Sequence, residues 1–294
     1  MNTQHQDVYE ECLIPEGSRI KFRRAGAGPT LVLVHGLLGY SFSWRNVVRI
    51  LSRKRQVFAL DMPGAGFSDC SRNLNCRLGS AANRLLKFFD AVGIDCCDLV
   101  GSSYGGATAV LLAALAPSRI HSLILASPAN PWSKIGRKRL ALLRNPAMAQ
   151  LFPKLARSVH PMHRYFIRRM WGDPNRATEE TLNGYARPLV RRGVFEHAVK
   201  IVRTWWPDMA EFEAALGKIG HIPTLLVWGS RDRVVDGRSA EAIRQRIPQA
   251  QISVIQRAGH LPYEECPQEF SELVEEFLQN IADPSAPGSI REVT

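Results

Sequence analysis

The chain has little that would tie it into a membrane, a disulfide scaffold or a metal centre. Its most apolar run, residues 107–116, falls well short of the roughly 20 residues that span a bilayer. Residues 1–11 are polar and acidic, with no basic region leading into an apolar stretch, so no signal peptide is expected. Six cysteines (Cys12, Cys70, Cys76, Cys96, Cys97, Cys266) show no Cys-x-x-Cys spacing and no regular framework. Thiols scattered in this way predict a reduced, cytoplasmic protein, with Cys96 and Cys97 as small core or near-core residues. His160-Pro161-Met162-His163 offers two imidazoles but no third ligand, and a proline interrupts it, so no metal is expected. Nothing in the pattern implies a cofactor. Internal repeats and low-complexity segments are also absent.

What is present fits a globular enzyme-sized chain. At 294 residues, 45% hydrophobic and 22% charged, it suits one large α/β domain, or such a domain with an inserted lid. The formal net charge is +11. Nucleic-acid binding is disfavoured, because the basic residues come as short groups (Arg137-Lys138-Arg139, Arg168-Arg169, Arg191-Arg192) in no recognised binding module. A solvated basic face is the default. Attraction to an anionic substrate or a peripheral contact with an anionic membrane surface stands next.

Hydrophobic patterning predicts strands alternating with helices. Residues 30–34 (Thr-Leu-Val-Leu-Val), 57–60, 120–126 and 224–228 are short apolar runs of the kind buried on both faces of a parallel sheet. Residues 19–24 alternate as a half-exposed strand near an edge, and 251–255 read as a last strand. Helices are expected over 44–51, 78–92, 107–116 and 237–247, and over 270–278 with Phe270, Leu273, Val274, Phe277 and Leu278 on one stripe. From 130 to about 220 the strand pattern vanishes, and Arg, Trp, Met and His collect in helical pieces. The expected organisation is an α/β core of residues 15–129 and 221–282, a helical cap over 130–220 and a structureless tail, 283–294.

Leu99-Val100-Gly101-Ser102-Ser103-Tyr104-Gly105-Gly106 is the stretch around which this pattern turns. Read as strand, sharp turn and helix, it leaves Ser103 at the apex with a glycine two positions to either side. A Cβ at either glycine would collide with the strand or helix, and the helix start aims free N–H groups at a developing oxyanion. Two later turns bring partners to the carboxyl edge of the sheet, where ligands bind in open α/β folds. Trp228-Gly229-Ser230-Arg231-Asp232 ends one strand, and Arg257-Ala258-Gly259-His260 ends the next. Serine is a weak nucleophile without a base in hydrogen-bond reach. Histidine can take its proton, and aspartate can hold the imidazole in the right tautomer. Asp236 is the fallback acid. His35 and Asp61 with Ser68 read as structural, each organising its own turn.

These landmarks resemble the α/β-hydrolase fold superfamily. The resemblance covers roughly residues 15–282 apart from the cap. It rests on His35-Gly36, Asp61-x-x-Gly64-x-Gly66-x-Ser68, Gly101-x-Ser103-x-Gly105, Gly229-x-x-Asp232 and Gly259-His260, in that order. It implies a mostly parallel, doubly wound sheet, a Ser103–His260–Asp232 triad, and backbone N–H donors at Leu37 and Tyr104 for the oxyanion. Serine at the elbow sets the chain apart from the dehalogenase and epoxide hydrolase branches, which place aspartate there.

The implied reaction is cleavage of a small-molecule carboxylic ester through an acyl-enzyme on Ser103. The arginines of the cap, with Met148, Met162, Met170, Trp171, Trp205 and Trp206, suit an acyl chain with an anionic or polar head. Two alternatives stay open: a carbon–carbon bond hydrolase of ring-fission products, and a ligand-binding receptor on the same fold. A histidine base also carries a pH signature. Activity should fall as pH drops through roughly 6–7, where an unperturbed imidazole protonates. A pH–rate profile flat down to pH 5 would speak against it.

Overall fold

A computed structural model describes residues 9–282. The expectations for residues 1–8 and for the tail 283–294 lie outside the described residues. Eight strands form one sheet: β1 (Glu10–Leu13), β2 (Arg19–Ala25), β3 (Thr30–Val34), β4 (Gln56–Leu60), β5 (Cys97–Ser102), β6 (Ile120–Ala126), β7 (Thr224–Gly229) and β8 (Gln251–Ile255). Their order is β1-β2-β4-β3-β5-β6-β7-β8. β1 and β2 pair antiparallel, as do β2 and β4; every other pairing is parallel.

The apolar runs become the central strands because a parallel sheet is covered on both faces. Successive side chains point to opposite faces. Val32, Val34, Leu99 and Leu125 therefore join one core, and Leu31, Leu33, Val100 and Ile124 the other. Helices α2 (Leu78–Val92) and α3 (Tyr104–Leu115) cover the first face, and α1 (Arg45–Leu51) lies on the second. Between β6 and β7 the chain is wholly helical in its regular structure: α4 (Arg137–Leu142), α5 (Pro146–Ser158), α6 (His160–Met170), α7 (Glu179–Leu189), α8 (Val194–Arg203) and α9 (Trp205–Leu216). Then α10 (Ser239–Arg244) joins the last two strands. After β8 come α11 (Pro262–Glu265) and α12 (Pro267–Ala282), whose stripe of Phe270, Val274, Phe277 and Leu278 is buried beside α1.

Several elements differ from those expected; α12, for one, runs Pro267–Ala282 and not only over 270–278. β1 was not expected, since Glu10-Glu11-Cys12-Leu13 is polar; it forms because β2 offers an antiparallel edge with Glu10 opposite Phe22. α10 is shorter than the 237–247 expected. Cys96 is exposed in the turn before β5 and only Cys97 enters the core, so a near-core place for Cys96 is corrected; all six thiols are free.

The order β4-β3-β5 fixes the place of the site. The chain leaves β3 toward one side of the sheet and returns on the other with β5, so the loops after these two strands diverge. That divergence opens a crevice at their carboxyl ends, the usual ligand site of open α/β sheets.

Candidate active site

Ser103 follows β5 directly and caps the start of α3. Its φ of 51° lies in the left-handed region, rare for a residue with a Cβ, and such strain costs about 1–3 kcal/mol. The surroundings hold it there: its N–H donates to Ala126 O at 3.0 Å, and its carbonyl accepts from Ala107 and Ala129. The flanking glycines are forced by contact. A Cβ on Gly101 would stand 2.6 Å from Gly105 O and Gly106 Cα, and one on Gly105 would strike the carbonyl oxygens of Val34 and His35.

Asp232 and His260 meet. His260 Nδ1 donates to Asp232 Oδ2 at 2.9 Å, and their side chains are 4% and 1% exposed, His260 first. The other carboxylate oxygen, Oδ1, accepts from the N–H groups of Val234 and Val235 at 2.7 and 3.0 Å. Burial alone would push the Asp232 carboxyl up. The neighbouring imidazole and the two N–H donors outweigh that and hold it below the usual carboxylate range, so it stays ionised. Asp236 instead pairs with the exposed Arg238 at 2.8 Å, which removes it as the partner of His260.

The histidine loop is clamped by contacts that the sequence pattern does not show. His260 N–H donates to Met170 O at 2.7 Å. One oxygen of the buried Glu265 accepts from Gly259 N–H at 2.6 Å and the other from Gly172 N–H at 2.9 Å. The loop is thereby tied to the end of α6. No periodicity could have shown this, because the partners lie about ninety residues apart.

His35 and Asp61 are tied to the turns that follow them. Met62 N–H donates to His35 Nε2 at 2.9 Å, so the ring proton sits on Nδ1 and donates to Gly36 O at 2.8 Å. Burial pushes this imidazole below its usual pKa and keeps it neutral. Asp61 accepts from Ser41 and Phe67 N–H, and Ser68 Oγ donates to its carbonyl at 2.6 Å. Those bonds hold the loop bearing Leu37, whose N–H has no backbone partner among the described residues. The N–H of Tyr104, first in α3, likewise has none within its helix.

Ser103, His260, Leu37 and Tyr104 all line one cavity of about 730 Å³. No hydrogen bond joins Ser103 Oγ to His260 among the described residues; such bonds often tighten only once substrate is bound. The inserted helices supply an apolar wall that includes Phe152, Met162, Met170, Phe195 and Trp205. The charged groups on the wall, Lys134, Arg137, Arg169 and Arg233, are all cationic; among the described residues no carboxylate lines it. Of the aromatics and methionines singled out in sequence between β6 and β7, Trp171 is buried in the core and Met148 and Trp206 face solvent. The arginine pairs divide as well. Arg169 reaches the cavity, whereas Arg168 pairs with Glu179 and Arg191 donates to Gly66 O and Ser68 O. His163 Nε2 donates to Ala156 O.

A family model described as the alpha/beta hydrolase fold matches residues 29–267. The chain belongs to that family. Pimeloyl-[acyl-carrier protein] methyl ester esterase of Aeromonas hydrophila is 28% identical over 284 residues, covering 88% of this chain and 99% of the esterase. 2-Hydroxymuconate semialdehyde hydrolase of Pseudomonas sp. strain CF600 is 27% identical, over 93% and 95% of the two chains. Among solved structures, a bacterial membrane phospholipase A superposes with a TM-score of 0.74 at 27% identity, over 94% of this chain and 87% of the phospholipase. Family and relatives together identify this α/β-hydrolase as a hydrolase. Among its described residues, no helix is long and apolar enough to cross a membrane.

Proposed function

We propose that this α/β-hydrolase cleaves carboxylic esters that carry an apolar acyl chain and an anionic or polar head. The observation that carries the reading is the cavity, apolar through most of its wall and cationic at every charged position, with Ser103 and His260 both on it. In this mechanism Ser103 Oγ attacks the acyl carbonyl while its proton passes to His260 Nε2. Asp232 holds Nδ1–H and stabilises the imidazolium. The N–H groups of Leu37 and Tyr104 receive the oxyanion; being main-chain donors, they need no reorganisation. The alcohol leaves with the proton from His260. Water, deprotonated by the same imidazole, then releases the acid and frees Ser103.

Similarity to an esterase and to a phospholipase supports this reading. Similarity to 2-hydroxymuconate semialdehyde hydrolase keeps one rival in view, carbon–carbon cleavage of a dienoate, whose carboxylate would also suit a cationic wall. A panel of p-nitrophenyl esters assayed beside a chromogenic ring-fission dienoate separates the two; faster turnover of the dienoate would overturn the ester reading. Arg169→Ala should raise KM for an ester with an anionic head about tenfold, the loss of one charge-assisted contact, and leave a neutral ester of equal chain length unchanged. Equal effects on both esters would remove Arg169 from head recognition.

A further inference from the structure

The positive charge of this chain is not spread over its surface. Residues 134–169 contain ten Lys and Arg and no Asp or Glu, so this one segment carries nearly the whole net charge of +11. The same segment holds eight of the thirteen large hydrophobic residues that stand exposed among the described residues. On α5 the exposed ones recur at helical spacing: Met148, Leu151 and Leu155, with Val159 just beyond its end, at 40%, 49%, 52% and 42% exposure. A surface helix ordinarily turns its apolar stripe to the core. Here Pro153 and Ala156 face inward and a second apolar stripe faces water. Tyr165 and Phe166 on α6 extend the patch.

The flanking cations are only partly paired. Arg157 pairs with Glu196, and Arg164 and Arg168 with Glu179. Lys134, Arg144, Lys154 and Arg169 have no carboxylate partner among the described residues. The patch also continues into the cavity, because Ile135 and Phe166, both exposed, line its wall together with Lys134 and Arg169.

We infer that the face formed by α5 and α6 docks on an anionic lipid surface, with the mouth of the Ser103 cavity turned toward the bilayer. An apolar stripe flanked by unpaired cations is the pattern of an interfacial helix: aliphatic groups enter the acyl boundary while Lys and Arg meet anionic headgroups. An acidic protein partner would match the cations but not the bare aliphatic row. The orientation rests on the ester reading, since an amphiphilic ester would then pass from the lipid layer to Ser103 without crossing water; the binding itself does not.

The test is co-sedimentation of the full chain with phosphatidylcholine vesicles, with and without phosphatidylglycerol, and its partner assay is turnover of the water-soluble p-nitrophenyl acetate. Wild type should bind the anionic vesicles and be released by salt. Leu151→Asp with Leu155→Asp, and separately Arg144→Glu with Lys154→Glu, should each weaken binding about tenfold or more. None of the four side chains lines the cavity, so acetate turnover should not change. No binding by wild type, equal binding to both vesicle types, or variants that bind like wild type would overturn the inference. So would a homodimer that Leu151→Asp dissociates while vesicles bind nothing. Vesicle binding without any ester turnover would keep the docking face and discard the ester reading; turnover without binding would do the reverse.

Discussion

Ser103→Ala is expected to abolish turnover, with kcat falling about 10⁶-fold, because without Oγ no acyl-enzyme can form and the remaining groups assist water only weakly. The fold should survive. The backbone that holds residue 103 at a positive φ is fixed by bonds to Ala126, Ala107 and Ala129, none of which involves the side chain. A thermal melt within a few degrees of wild type, beside steady-state kinetics on a p-nitrophenyl ester, checks both halves. Activity retained to within tenfold would mean that another residue attacks the carbonyl.

Asp232→Asn should lower kcat about 10⁴-fold by forcing the wrong tautomer on the histidine. Oδ1 is bound by the N–H groups of Val234 and Val235, so an asparagine must place its carbonyl oxygen there. Its amide then points at His260 Nδ1 and donates where the carboxylate accepted. Nδ1 must become an acceptor, the ring proton moves to Nε2, and the base faces Ser103 with its lone pair occupied. Raising the pH should not rescue this variant, because the fault lies in which ring nitrogen carries the proton. Asp236→Asn, at a carboxylate paired with an exposed arginine, should leave kcat near wild type.

Much of this was readable in one dimension. The central strands declared themselves because burial on both faces leaves few polar positions, and the elbow because two close approaches each demand glycine. Ser103, Asp232 and His260 stand at strand ends, where a sequence can place them. The edge strand β1 was hidden, since a strand with one open side can be polar. Glu265 was hidden for a related reason. Beside Glu264 at the end of the short helix α11 it reads as solvent-facing, yet it is buried and holds both Gly172 and Gly259. Doublets such as Arg168-Arg169 could not be resolved either. Neighbours on a helix point about 100° apart, so one reaches the cavity while the other pairs outside it. The concentration of charge was visible as a count, but its meaning needed the exposed row on α5 beside it.

In the proposed mechanism Ser103 is the activated nucleophile of this site. Labelling the intact chain with a fluorophosphonate and mapping the modified peptide tests it most directly. A single adduct is expected, on Ser103, that disappears in Ser103→Ala and forms far more slowly in His260→Ala. An adduct on any other residue, or ester turnover that continues with Ser103 unlabelled, would contradict it.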